Sequence, residues 1–144
     1  MKRAGVAATL MAATLLLGGC SAATVSATSG PTATAAPAAG SSLSAADFAA
    51  AAKLPDTLLL DVRTPSEFAA GHLTGAVNLD VEAASFPQLV ATLDPAKNYA
   101  VYCRSGNRSK VAMTAMGQAG FSHLFDLAGG IGAWQSAGGQ LVKN

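Results

Sequence analysis

Short apolar runs alternate with helix-forming segments from Ser44 to the end of the chain. The two strongest runs, residues 57–62 and 99–103, are bounded by turn residues and predict buried strands. Each run is followed by a helical pattern, and Thr64 begins the first of these with a capping signal. Neighbouring parallel strands need such a helical crossover. The alternation therefore predicts an α/β domain of three layers, with a small, mostly parallel central sheet flanked by helices.

Weaker signals predict the remaining elements. The helix after the second strong strand is predicted to start at Asn107 or Arg108 and to end at Gly120. One stripe of it, the pattern of a buried face, holds Val111, Ala115 and Ala119. Residues 81–93 are predicted as a helix in which Pro87 marks a break or a start at Phe86. The other predicted elements are helices at 44–53 and around Trp134, and strands at 76–79, 123–127 and 141–142.

The N-terminus has the pattern of an export signal. Two basic residues precede an apolar run at 4–17 and two small residues. The run is shorter than the about 20 residues that a membrane-spanning helix needs. Leu17-Gly18-Gly19-Cys20 resembles the lipobox of bacterial lipoproteins, which implies that residues 1–19 are a removed signal peptide and that Cys20 carries a lipid. The alternative is an ordinary cleaved signal peptide, or an uncleaved anchor, in which Cys20 is incidental.

The sequence divides the rest of the chain into a tether and one domain. Residues 20–42 contain Cys20 and an uncharged Ala/Ser/Thr/Pro stretch that predicts a disordered linker, and residues 43–144 are predicted to fold. The net charge of +1, without a basic run, gives no indication of nucleic-acid binding. We therefore expect an exported protein that is held to a bacterial membrane, on the cell surface or the periplasmic side, by its lipid alone.

Cys103 stands where the second strong strand meets a helix. The loop after this strand consists of Cys103, Arg104, Ser105, Gly106, Asn107 and Arg108. A helix N-terminus and a tight loop turn unpaired N–H groups toward the cysteine, and two arginines add positive charge. These surroundings favour the thiolate, which is the nucleophilic form of cysteine, although a buried structural cysteine is the alternative.

No metal or cofactor is expected, because the other candidate zinc ligands are too few and too widely spaced: Cys20, His72 and His123.

The loop and its flanks resemble the rhodanese family of sulfurtransferases. Residues 103–109 are similar to the active-site loop of that family. Similar N-terminal and C-terminal signatures are found at Asp61-Val62-Arg63, Glu67-Phe68, Gly71-His72, Gly75-Ala76, Asn78, Gly120-Phe121, Leu127, Gly129-Gly130 and Trp134. The resemblance implies that the Cys103 thiolate takes a sulfane sulfur from thiosulfate or a related small anionic donor, carries it as a persulfide, and passes it to cyanide or a thiol. It also implies donor binding by Arg104, Ser105, Gly106, Asn107 and Arg108.

Two other functions compete with sulfur transfer. A phosphatase or arsenate reductase on the same fold has a longer loop, His-Cys-x5-Arg, whereas here Tyr102 precedes the cysteine and Ser109 follows it at the sixth position. The shorter loop favours sulfur over the bulkier phosphate. A carrier or binding module, which holds a persulfide or a sulfur anion for a partner protein without turnover, is the second alternative.

The other marked residues are expected to have structural roles. Asp61 and Arg63 are predicted to form an ion pair, and His72 is predicted to hold its own loop. The residues predicted to serve in packing are Met113, Met116 and Trp134.

Overall fold

The computed structural model describes residues 24–143. The predicted signal peptide and the predicted lipidation site, Cys20, lie outside the described residues. The elements are, in chain order, β1 (Ser41–Leu43), α1 (Ala45–Ala51), β2 (Thr57–Asp61), α2 (Pro65–Ala70), β3 (Val77–Asn78), α3 (Phe86–Val90), β4 (Asn98–Tyr102), α4 (Asn107–Gln118), β5 (Leu124–Leu127) and α5 (Gly130–Ser136). In this part of the chain, no helix combines the length and the apolar character that crossing a membrane requires.

The five strands form one parallel sheet in the order β1-β5-β4-β2-β3, with helices on both faces. On one face, α3 and α4 cover a core that includes Tyr99, Val101 and Met116. On the other face, α1 and α5 cover a second core that includes Phe48 and Trp134. A parallel sheet that is buried on both faces explains why its central strands read as continuous apolar runs. The predicted three-layer α/β fold is confirmed.

The buried face of α4 is not the predicted one. Val111 is 60% exposed, and the two alanines of the predicted stripe also face solvent. The face turned to the sheet holds Ser109, Ala112, Met113 and Met116. The predicted stripe was wrong because the two methionines offer more apolar area for burial than a valine and two alanines do. The expected packing role of the methionines is confirmed.

Two weakly predicted elements are shorter than expected. The helix predicted within 81–93 starts at Phe86, the alternative that Pro87 suggested, and ends at Val90. A proline is tolerated there because the first turn of a helix needs no intrahelical N–H donor. The strand predicted at 141–142 is a single antiparallel bridge between His72 and Val142.

The predicted linker contributes to the folded domain. Ser41 and Ser42, which were assigned to the tether, belong to β1 and pair with β5, so the predicted boundary after residue 42 is corrected to lie before Ser41. Residues 24–40 have no regular secondary structure. They nevertheless lie against the domain, since the N–H of Val25 donates to the carbonyl of Ala137 at 3.3 Å and the N–H of Ala33 donates to that of Ala50 at 3.0 Å. Small apolar side chains supply this contact, which composition alone does not reveal.

Candidate active site

The backbone after β4 wraps around the sulfur atom of Cys103. The N–H of Gly106 donates to Sγ at 3.1 Å. Gly106 caps α4 with φ of +98°, in the left-handed region that glycine adopts without strain. This conformation lets the chain turn back within three residues of the cysteine, so that loop amides face the sulfur. The predicted loop is therefore formed, and its backbone brings the donors together.

The surroundings of the sulfur favour the thiolate. Cys103 is 1% exposed, and this burial alone raises the pKa of its thiol. Hydrogen bonds from the backbone at Ser109, Ser105 and Gly106, together with the Ser109 hydroxyl, act in the opposite direction and outweigh burial. The pKa of Cys103 consequently lies below its ordinary value.

The start of α5 fixes the other side of the loop. The N–H of Ile131 donates to the carbonyl of Cys103 at 2.9 Å, and the N–H of Gly132 donates to that of Arg104 at 3.5 Å. Gly130 has φ of +59°, and a Cβ atom at this position would lie 2.5 Å from the carbonyl oxygen of Cys103. Glycine is thus required where the two backbones meet. With its carbonyl groups bonded to α5, the loop turns its N–H groups toward the sulfur.

Arg108 is held in an ion pair instead of facing the sulfur. Its two terminal nitrogens donate to the two carboxylate oxygens of Glu67, each at 2.8 Å, and one of them also lies 3.2 Å from Glu82. The hydrogen bonds from Arg108 lower the pKa of Glu67 from 4.5 to about 2, and burial opposes them. Glu67 also closes the capping box of α2 with Thr64. The pair therefore ties α2 to the first turn of α4.

The predicted donor-binding residues occupy different positions around the loop. Arg104, Ser105 and Asn107 are exposed at its rim, Gly106 is buried, and Arg108 is engaged by acidic residues. Arg104 is thus the loop arginine whose guanidinium group is open to solvent.

A buried ion pair supports the neighbouring strand end. Two nitrogens of Arg63 donate to the carboxylate of Asp61, the closest at 2.6 Å, and Arg63 also donates to the carbonyl of Gly71 at 2.7 Å. His72 stacks on Phe68 with ring centroids 3.7 Å apart, and its Nδ1 lies 2.9 Å from the Phe68 carbonyl. The predicted structural roles of these residues are confirmed. So is that of Trp134, which is 1% exposed.

Sequence reasoning missed a buried polar cluster next to Cys103. Ser109 Oγ lies 3.8 Å from the sulfur and 2.6 Å from Oδ2 of Asp126, whose Oδ1 accepts a hydrogen bond from Ser42 at 2.5 Å. Ser109 and Asp126 are both fully buried. The carboxyl group inside the apolar run of β5 was a visible signal, because a charged side chain is rarely buried without a specific partner. Within residues 24–143, no group of three or more metal-binding side chains comes together.

The fold and the loop define a class: three-layer α/β domains that carry a cysteine loop between a central parallel strand and the following helix. A family model described as a rhodanese-like domain matches residues 44–137. The chain belongs to the rhodanese-like family.

Similar proteins support this assignment. A sulfurtransferase of Allochromatium vinosum is 36% identical over 60% of this chain and 79% of its own length. The thiosulfate sulfurtransferase GlpE of Pseudomonas entomophila is 33% identical over 61% of this chain and 79% of its own length. The crystal structure of a rhodanese-related protein from Thermoplasma volcanium has a TM-score of 0.64 and 32% identity, and the match covers 72% of this chain and 99% of that one.

Replacing Gly130 should damage the loop. We expect Gly130→Ala to lower the free energy of unfolding by more than about 1 kcal/mol, because the backbone conformation and the nearby Cys103 carbonyl both exclude a Cβ atom. Urea unfolding measures this loss. Gly132→Ala, in the same helix, is the matched control, since its Cβ would meet only the Arg104 oxygen, at 4.0 Å. Equal stability of the two variants would contradict the close approach of α5 to the loop.

The Glu67–Arg108 pair should make stability fall in acid. Because folding lowers the pKa of Glu67 from 4.5 to about 2, its contribution is fully present above pH about 4.5 and is lost as the pH falls toward 2. Unfolding measured across this range should show a shallower acid decline in Glu67→Gln than in the unsubstituted protein. Glu82→Gln, which removes the more exposed carboxylate, should retain most of the decline. Parallel curves for Glu67→Gln and the unsubstituted protein would count against the pair.

Proposed function

We propose that the protein is a sulfurtransferase that moves a sulfane sulfur from thiosulfate or a related donor to a thiophilic acceptor through a Cys103 persulfide. The Cys103 thiolate attacks the outer sulfur of the donor, a new S–S bond forms, and the S–S bond of thiosulfate breaks as sulfite leaves with the electron pair. A thiol or cyanide then takes the outer sulfur of the persulfide and restores the thiolate. No cofactor enters either step.

One observation carries this proposal: the N–H of Gly106 points at Sγ from 3.1 Å, within a loop whose amides lower the pKa of the thiol. Donors arranged in this way stabilise a sulfur anion before the reaction begins. The persulfide is also an anion, and its outer sulfur extends from Cys103 toward the same loop. The sulfurtransferase names of two relatives support the same chemistry.

The two arginines of the loop have different roles in donor binding, because only one of them is free of an acidic partner among the described residues. Arg104 is exposed at the rim, where a guanidinium group attracts an approaching anion. Arg108 is neutralised by Glu67 and Glu82, so its contribution is to hold the loop in shape. The backbone N–H groups of Ser105, Gly106 and Ser109, which act on the Cys103 sulfur, then bind the anion.

A carrier function is the second candidate, and the burial of Cys103 favours it. A cysteine that is 1% exposed protects the persulfide that it carries from solvent. Such a protein would load one sulfur atom and release it only to a partner protein that opens the loop.

Incubation with thiosulfate followed by intact mass spectrometry tests the covalent step. We expect the protein to gain the mass of one sulfur atom and Cys103→Ser to gain none. Sulfur uptake by Cys103→Ser, or none by the unsubstituted protein, would overturn the proposal. Repeated release of thiocyanate with excess thiosulfate and cyanide indicates an enzyme, whereas one equivalent per chain indicates the carrier.

We further propose that Cys20 is lipidated and that the lipid holds the exported domain at the cell surface or on the periplasmic side of a membrane. The proposal rests on the Leu17-Gly18-Gly19-Cys20 motif and the export signal before it. Two acyl chains suffice for stable anchoring where one does not. Growth with radioactive fatty acid should label the protein but not Cys20→Ala, while Cys103→Ala should be labelled as strongly as the unsubstituted protein. Label retained in Cys20→Ala would refute lipidation at this residue.

A further inference from the structure

Two side-chain hydrogen bonds connect β1 to the first turn of α4 through β5. Ser42 Oγ donates to Oδ1 of Asp126 at 2.5 Å, and Ser109 Oγ donates to Oδ2 of Asp126 at 2.6 Å. Asp126 and Ser109 are fully buried, whereas Ser42 is exposed. With one oxygen bonded to β1 and the other to α4, the carboxyl group of Asp126 is fixed in orientation. Buried polar groups that are connected in this way make their surroundings rigid.

Ser109 is the residue through which these bonds reach Cys103. It is the third residue of α4, where backbone N–H groups have no partner within the helix. Burial raises the pKa of Cys103, and the strongest of the hydrogen bonds that lower it comes from the backbone at Ser109. The Ser109 hydroxyl group also lies 3.0 Å from the Gly106 carbonyl and 3.8 Å from the sulfur. The position of Ser109 therefore decides how closely the first turn of α4 approaches the sulfur.

We propose that Ser42 and Asp126 are positioning residues that hold Ser109, and with it the first turn of α4, against the sulfur of Cys103. Ser42 acts through Asp126, and Asp126 acts through the Ser109 hydroxyl group. This role depends on the two hydrogen bonds and on no change of protonation. The inference rests on the proposed nucleophilic role of Cys103.

Ser42 brings a part of the chain outside the matched family segment into the site. The family model matches from residue 44, whereas the pairing of β1 with β5 places Ser42 directly opposite Asp126. Successive side chains of a strand point to opposite faces, so Ser41 is turned away from Asp126. The Ser41 hydroxyl group has no hydrogen-bond partner among the described residues. Ser41 is therefore a matched control for Ser42.

Replacing Ser42 by alanine leaves every charge near the sulfur in place. β1, α3 and α5 contain no ionisable side chain. Asp126 itself is retained in the Ser42 variants. The charged side chains on the other elements around the loop are the Asp61–Arg63 pair, Arg108 with its partners Glu67 and Glu82, and the exposed Arg104. A shift in the titration of Cys103 would thus come from the geometry of the donors.

The ultraviolet absorbance of the thiolate, taken as the difference from Cys103→Ser, measures the effect at the sulfur. We expect the midpoint of thiolate formation in Ser42→Ala to rise by about half a pH unit, because a less firmly held N–H stabilises the anion less. Ser41→Ala should leave the midpoint unchanged, and Ser42→Thr, which keeps the hydroxyl group, should retain the unsubstituted value. An unchanged midpoint in Ser42→Ala, or an equal rise in Ser41→Ala or Ser42→Thr, would overturn the proposal.

A double-mutant cycle tests the route through Ser109. In Ser109→Ala the connection to α4 is already absent, so the further change Ser42→Ala should shift the midpoint little more. A further rise as large as that of Ser42→Ala alone would contradict the proposed route. The comparison of Ser42→Ala with Ser41→Ala decides the question even if Ser109→Ala does not fold.

The titration uses no sulfur donor and therefore separates this inference from the proposed sulfur transfer. A shifted midpoint in Ser42→Ala without persulfide formation by the unsubstituted protein would refute sulfur transfer alone. Persulfide formation together with an unshifted midpoint would refute the positioning role alone.

Discussion

The structure around Cys103 depends on a backbone that is held from both sides. On one side, the left-handed Gly106 turns its N–H toward the sulfur. On the other, Ile131 binds the Cys103 carbonyl, and Gly130 lets the two backbones come together. Fixed amides cost no reorganisation when a sulfur anion forms, which is why rigid donors are more effective than mobile side chains. The rest of the sheet holds β4, α4 and α5 at fixed positions relative to one another, because β4 pairs with β2 and β5 and both helices pack on the sheet.

Three acidic side chains around the loop differ in their burial and in their hydrogen-bond partners. Asp61 is buried with a full guanidinium partner, and Glu67 is half-buried against Arg108. Asp126 is buried and, among the residues that the structure describes, has hydroxyl groups as its only side-chain partners. In the first two cases a guanidinium group neutralises the carboxylate and ties it to a neighbouring element. The third places a buried carboxyl group behind the nucleophile, bonded to the Ser109 hydroxyl group that also lies 3.8 Å from the Cys103 sulfur.

Local patterns allowed much of this arrangement to be predicted. The strand-to-helix alternation indicated the parallel sheet, and the loop at 103–108 could be read directly because its residues are adjacent in sequence. Contacts between distant segments could not be read in this way. The partner of Arg108 is 41 residues away, and Ser42 is 84 residues from Asp126. The three-residue strand β1 has no hydrophobic signature, since backbone pairing with β5 creates it.

The hydrogen bond between Val25 and Ala137 fixes the point at which the N-terminal segment leaves the domain. α5 begins beside Cys103, and its seven residues carry the chain about 10 Å away before Ala137, where Val25 is bound. The segment from Cys20 to Thr24 can extend at most about 14 Å. If Cys20 carries the proposed lipid, the bilayer surface is near the far end of α5. The cysteine loop then lies at the other end of α5, one helix length from the point where the chain leaves the domain for the membrane.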